Sequence, residues 1–260
     1  QYQNGYALLM INWYPYRYNP VQSTVQWNES ISFELETRFD QATYDRQNAF
    51  LLSGDAGLRK LSSSVIERQN LATYRKTATA SSRSLVSPNE PYQMIIITNA
   101  QTESYLDDFI TWKIAHGITP KVYLTGDIYA EYTGEDNAAK VRTFITDAYT
   151  TWSGTATPLE YVILAGDDEI VPLRGCYGQV GNTIDNGIPT DIYFSNLDGD
   201  WNADGDNIYG EVSDDPDYLP EVAIGRFPAE TEAEFANILM KHAYYTDNNT
   251  YSNDIVYFYG

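Results

Sequence analysis

Tyr161-Val-Ile-Leu-Ala-Gly-Asp167 sets an aromatic and four apolar residues in a row and then stops on a glycine and an acid. A run this short and this continuously apolar fits a strand buried on both faces, the kind that fills a parallel sheet. Met94-Ile-Ile-Ile97 has the same character, and Lys121-Val-Tyr-Leu124, Ile192 to Phe194, Val222 to Ile224 and Ile255-Val-Tyr-Phe258 give further strand candidates. Helical spacing lies between them. Tyr105, Leu106, Phe109, Ile110 and Trp112 recur at three and four over about 102 to 116, with Gly117 as a stop. Asp136 caps a second stripe of Val141, Phe144, Ile145, Ala148 and Trp152, and Thr231-x-x-Glu234 is a capping box opening a third. Strand alternating with helix predicts an α/β fold, a largely parallel sheet flanked by helices over residues 92–260.

The chain before residue 92 reads differently. Tyr6 to Ile11, and Ile31, Phe33 and Leu35 alternating with Ser32, Glu34 and Glu36, predict strands, and Pro15-Tyr-Arg-Tyr-Asn-Pro20 between them predicts a turn. Residues 1–40 are therefore a small β-rich unit with too few strands to close a core alone. Residues 41–91 read as a linker region, ending in the polar run Thr77-Ala-Thr-Ala-Ser-Ser-Arg-Ser84, where Lys76 and Arg83 are candidate cleavage points.

Composition narrows the partners. The 36 acidic residues against 16 basic ones give a net charge of -20, which repels nucleic acid and anionic lipid. No apolar run is long enough to span a bilayer. A carboxylate surplus of this size suits a calcium-rich extracellular medium, and a single cysteine, Cys176, rules out an internal disulfide framework.

The most specific local motif is Asp200-Trp-Asn202-Ala-Asp204-Gly-Asp206-Asn-Ile-Tyr-Gly-Glu211, which satisfies the calcium-loop pattern of alternating oxygen ligands, a turn glycine at Gly205 and a carboxylate at the twelfth position. Asp198 adds another carboxylate. No amphipathic helix follows, so the loop is expected between strands. The competing description is a solvated acidic turn. Gly166-Asp167-Asp168-Glu169 follows a strand, where parallel sheets place functional residues, and Asp167 is equally suited to bind its own loop backbone. Cysteine catalysis needs a thiolate and a base in reach. His116 is expected to end a helix and His242 to pack within one, and nothing pairs either with Cys176.

Four segments in order carry a resemblance: Tyr92-Gln-Met-Ile-Ile-Ile-Thr98; Phe109-Ile-Thr-Trp-Lys113 with His116-Gly117; Tyr161 to Asp167 with Ile170-Val-Pro172; and Pro220-Glu-Val-Ala-Ile-Gly-Arg-Phe227. Together they resemble the first half of the gingipain-like cysteine peptidase domain, and Pro15 to Pro20 with the strand after it is similar to the end of its β-rich propeptide. The resemblance implies a caspase-like sheet, a secreted or bacterial cell-surface location, calcium dependence, and endopeptidase action on protein or peptide substrates. It places the catalytic cysteine and histidine in a remaining C-terminal half, past Gly260, so no residue of this chain takes a catalytic role. It also puts a calcium site just before the strand of Glu221 to Phe227, which adds Glu221 to the candidate ligands. The alternative function is a catalytically silent, calcium-binding adhesion or structural module with the same fold.

Overall fold

The computed structural model describes residues 2–9, 11–30, 32–52, 57 and 84–247. The chain enters through two short antiparallel strands, β1 (Tyr2–Gln3) and β2 (Tyr6–Ala7), turned by Asn4 and Gly5. A second hairpin follows, β3 (Tyr16–Asn19) with β4 (Thr24–Trp27). The segment expected to be a turn is thus a strand: Pro15 and Pro20 flank it rather than interrupt it, and the turn falls at the next residues, where Ser23 takes φ +50°. The expected strand at Tyr6 to Ile11 is paired only at Tyr6–Ala7, and the described residues 32–39 form no strand. Alternation alone supplies no partner for a ladder.

Helix α1 (Gln41–Phe50) occupies the start of the region expected to be a linker. Asp40 caps it by accepting the N–H of Thr43 at 2.8 Å. Its last residue, Phe50, stacks near Tyr149 of the main body, and Leu51 and Leu52 are buried. Most of the polar run at 77–84, with Lys76 and Arg83, lies outside the described residues, as does the expected strand at 255–258.

The body begins with β5 (Met94–Thr98), buried at every position. A 3-10 turn, Glu103–Leu106, leads into α2 (Asp107–Ala115), and then come β6 (Pro120–Leu124), α3 (Thr125–Glu131) and α4 (Asn137–Trp152). The remaining elements are β7 (Tyr161–Ala165), the antiparallel pair β8 (Arg174–Val180) and β9 (Thr183–Thr190), β10 (Ala223–Phe227) and α5 (Glu232–Asp247). The central sheet runs β10-β7-β5-β6, all parallel.

Alternate residues of each central strand face opposite layers. Ile95, Ile97, Val162 and Leu164 join Val141, Phe144, Ala148 and Trp152 of α4 in one core. Ile96, Ala165 and Phe227 join Phe109 of α2 and Phe235 of α5 in the other. Each fully buried side chain of this size contributes about 1.5–3 kcal/mol, so two such layers account for the stability of a sheet without disulfides. The expected α/β class is what forms.

One strand expectation fails inside the body: Ile192–Phe194 is a 3-10 turn. Tyr193 and Phe194 are buried against the α4 side of the core, so the apolar triad reflects packing of a turn, not a ladder. The β8–β9 hairpin was not expected, because its glycines and Pro189 resemble loop composition.

The order of the sheet has a positional consequence. From β5 the chain steps first to β6 on one side and then to β7 and β10 on the other, so the switch point lies where the β5 and β7 ends diverge. There Thr98 donates to Ala165 O at 2.7 Å and its hydroxyl meets that of Thr102 at 2.7 Å, which stitches the two strand ends together.

Candidate functional site: an acidic loop beside the parallel sheet

The acidic loop leaves the 3-10 turn at Ser195 and returns through Glu221 into β10. Its inner wall is aromatic. Trp201, buried, donates from Nε1 to Asn196 Oδ1 at 2.9 Å and meets Tyr193 and Tyr218 edge-on. Gly210 takes φ +75° with its N–H on Trp201 O at 2.9 Å, and a Cβ there would come within 3.0 Å of the indole, so the turn needs glycine. From below, Arg142 of α4 donates to Tyr193 O at 2.9 Å, Asn196 O at 2.9 Å and Gly199 O at 2.7 Å. Burial pulls the Arg142 pKa down, while Tyr193, Asp200 and Asp198 push it back up.

The outer rim carries the calcium-loop residues. Asp204, Asp206 and Glu211 each bring a carboxylate oxygen into one group, all within 4.8 Å of one another. Between the first two, Gly205 takes φ +76° with open space around its Cα. The other candidates brace the loop: Asp200 Oδ1 accepts Asn202 N at 3.1 Å and Asn202 Oδ1 accepts Asn207 N at 2.9 Å. Asp214, which the sequence reading missed, is the loop's anchor. Its Oδ1 accepts Ala203 N at 2.7 Å, and its Oδ2 accepts Gly210 N at 2.9 Å and Glu211 N at 3.2 Å. The signal was present as an acid three residues after Glu211, the spacing of a capping box, which these two residues form.

Asp198 and Glu221 do not join the rim group. Glu221 is fully buried, with Oε1 accepting Asn4 N at 3.1 Å and Oε2 accepting Leu197 N at 2.8 Å. Burial first, and then the Asp198 charge, hold its carboxyl well above the usual carboxylate range. Burial and the Asp217 charge raise Asp198 in the same sense, and its Oδ2 has no hydrogen-bond partner among the described residues. The seven candidate ligands thus divide into an outer rim and an inner pair, Glu221 buried and Asp198 half-buried. Both sets are oxygen-only with excess negative charge, and Asp198 adds an orphaned carboxylate oxygen; such donors fit a hard divalent cation.

The residues capable of cysteine chemistry are scattered. Cys176 is buried in β8, and burial pushes its thiol up to about 11. His116 ends α2, with Nδ1 2.7 Å from Trp112 O and Nε2 3.2 Å from Asp247. His242 packs edge-on against Phe109 and Trp112. No hydrogen bond joins either histidine to Cys176 among the described residues. Asp167 binds its own loop, accepting Glu169 N at 3.1 Å.

This is an α/β protein whose parallel sheet carries an oxygen-rich loop just ahead of β10, the outermost strand on that side among the described residues. Residues 87–258 match the model of peptidase family C25, and the chain belongs to that family. It is similar to gingipain R2 of Porphyromonas gingivalis strain W83, 24% identical over 244 residues, which cover 93% of this chain and 27% of that protein. Gingipain R1 of the same species is 24% identical over 245 residues, covering 93% of this chain and 20% of that one. The chain therefore spans about a quarter of the length of these relatives. Among solved structures, the Arg-specific cysteine proteinase gingipain R aligns over 59% of this chain and 28% of its own, at 23% identity and a TM-score of 0.40. Dimeric latent PorU from Porphyromonas gingivalis aligns over 60% and 16%, at 19% identity and a TM-score of 0.44. No helix among the described residues is long and apolar enough to cross a membrane.

Proposed function

We propose that this chain is the end of a propeptide, a connecting region, and the N-terminal half of the catalytic domain of a secreted, calcium-stabilised cysteine endopeptidase. Membership of peptidase family C25 supports peptide-bond hydrolysis as the reaction of the full-length protein. The observation that carries the division of labour is Cys176: a buried thiol raised to about 11 and bonded to no histidine is a poor nucleophile near neutral pH. The nucleophile and its histidine then belong to sequence C-terminal to Gly260. The remaining half of the domain is the first partner, and a protein or peptide the substrate.

Calcium is the cofactor we assign to the rim, held by Asp204, Asp206 and Glu211 with Asp200 and Asn202 close by in the loop. Bound there, it would neutralise the carboxylates and stiffen the loop ahead of β10, and would take no part in bond cleavage. The charge of -20 supports a calcium-rich extracellular setting.

The test is an assay of the isolated chain and of a form extended through the following catalytic segments. The chain alone is expected to cleave no peptide, and the extended form to cleave in a manner abolished by replacing a cysteine beyond Gly260. Cleavage by the isolated chain that is lost in Cys176→Ala overturns this reading. An extended form without such a cysteine and without activity would favour the silent calcium-binding module instead.

A further inference from the structure

A cavity of about 370 Å³ lies between α2 and α5 and shares no residue with the acidic loop. Tyr105, Phe109 and Trp112 line it from one side, and Leu239, Met240 and His242 from the other. Positions 105, 109 and 112 are separated by four and three residues, so helical spacing sets the three aromatic side chains on one face. Phe109 and Trp112 stack at 6.3 Å with their planes 17° apart, and the His242 ring meets them edge-on at 5.5 and 5.1 Å. Trp112 Nε1 donates to Asp247 at 3.2 Å, which polarises the indole toward a more negative face.

The charges of the lining have one sign. Asp108 and Glu232, both exposed, belong to it, and no lysine or arginine does among the described residues. Burial and then Lys113 hold His242 below its ordinary value of 6.5, so near neutral pH its ring brings no positive charge. Aromatic faces and two carboxylates together attract a cation. The fold already uses these rings in that way: the Lys113 ammonium, outside the lining, lies 5.2 Å from the Phe109 centroid and 5.0 Å from that of Trp112.

Which cation fits follows from hydration. A primary ammonium is strongly hydrated and has three N–H donors, and a wall of rings and aliphatic side chains strips water from them without replacing it. A quaternary ammonium has no N–H to satisfy, and its methyl groups pack on Leu239 and Met240 while its charge faces the rings. An anionic group on the same ligand would meet Asp108 and Glu232 in a chain of charge -20.

We propose that this cavity binds a small quaternary ammonium compound, held by the rings of Tyr105, Phe109 and Trp112 and by the carboxylates of Asp108 and Glu232. The site is independent of the peptidase reading and of the calcium rim. Phe109 of α2 and Phe235 of α5 share one core layer, so an occupant wedged between the two helices braces α5 against the sheet.

The experiment titrates the whole chain with choline, ethanolamine, phosphocholine and the neutral alcohol in which carbon replaces the nitrogen of choline, followed by calorimetry. Choline is expected to bind with a dissociation constant on the order of 1 mM, and the other three about tenfold more weakly. Asp108→Asn with Glu232→Gln, both at exposed positions, is expected to weaken choline about fivefold, and Lys113→Met, which removes a competing cation from the same rings, to tighten it. Absence of saturable choline binding by about 10 mM overturns the proposal. So does the neutral alcohol binding as tightly as choline, which would make the cavity merely apolar, and so does ethanolamine doing so, which would remove the selectivity for a quaternary nitrogen. Phosphocholine binding as tightly as choline overturns the charge argument and points to a lipid headgroup instead. An affinity for choline unchanged in the Asp108→Asn, Glu232→Gln chain places the binding elsewhere and also overturns it.

Discussion

The guanidinium of Arg226 on β10 grips both carboxylate oxygens of Asp191, at 2.9 and 2.8 Å, across 35 residues of sequence. The same side chain donates to Gly166 O at 3.1 Å, Val171 O at 2.6 Å and Pro172 O at 3.2 Å. It therefore ties the loop after β7, the end of β9 and β10 into one unit. Lysine has a point charge and no fork, so Arg226→Lys is expected to destabilise the chain by about 3 kcal/mol, read as a shift of the denaturant midpoint. A midpoint unchanged from the parent would mean that the bonds to the carbonyls are replaceable by water.

Asn4 is fully buried, and its Nδ2 donates to Glu221 O at 3.0 Å and to Tyr149 OH at 2.9 Å. Asn4→Ala removes both donors and leaves their acceptors buried, at a cost of about 2 kcal/mol. Hydrogen exchange should show the loss first at the N–H of Leu52, which is bonded to Asn4 O at 3.0 Å. Equal protection of that amide in parent and variant would refute the role given to Asn4.

Removing calcium should lower the melting temperature of the parent chain. At a hundredfold excess over the dissociation constant the bound ion is worth about 2.7 kcal/mol. In Asp204→Asn, Glu211→Gln the gain from added calcium should shrink. A melting curve that ignores both chelator and calcium counts against the rim as a metal centre.

His242 is held below the ordinary imidazole value of 6.5, by burial first and then by Lys113, with Asp247 pulling the other way. The sign follows: the folded state keeps His242 neutral, so its contribution is fully present above pH 6.5 and is lost as the pH falls below that value. The reporter is Trp112, whose ring lies 5.1 Å from His242 and whose Nε1 donates to Asp247 at 3.2 Å. Acidification is expected to shift the fluorescence component that Trp112→Phe removes, and His242→Gln should flatten that response.

The central sheet was legible because its strands are buried on both faces: Met94–Thr98 and Tyr161–Ala165 could hardly be anything else. The helices were equally plain where a cap and a stripe agree, as with Asp136, whose Oδ1 accepts Ala139 N at 2.8 Å ahead of α4. Elsewhere local pattern and tertiary context parted. Tyr193 and Phe194 are apolar because a turn is buried there, and Gly175, Gly178 and Gly187 looked like loop although cross-strand pairing makes them β8 and β9. At the acidic loop the closeness of Asp204, Asp206 and Glu211 follows from their spacing in one short turn. The roles of Asn4, Arg142 and Asp217 were not legible, since each acts on residues more than fifty positions away, through a fold the pattern does not encode.

The bond from Asn4 to Glu221 spans 217 positions. On a ribosome adding about 5 to 20 residues per second, Asn4 emerges on the order of ten to forty seconds before its acceptor has even been polymerised. Within this stretch Asn4 is thus made well before the carboxylate that seats it. Throughout that interval the Asn4 N–H lacks this acceptor, and its burial reports that Glu221 has been delivered.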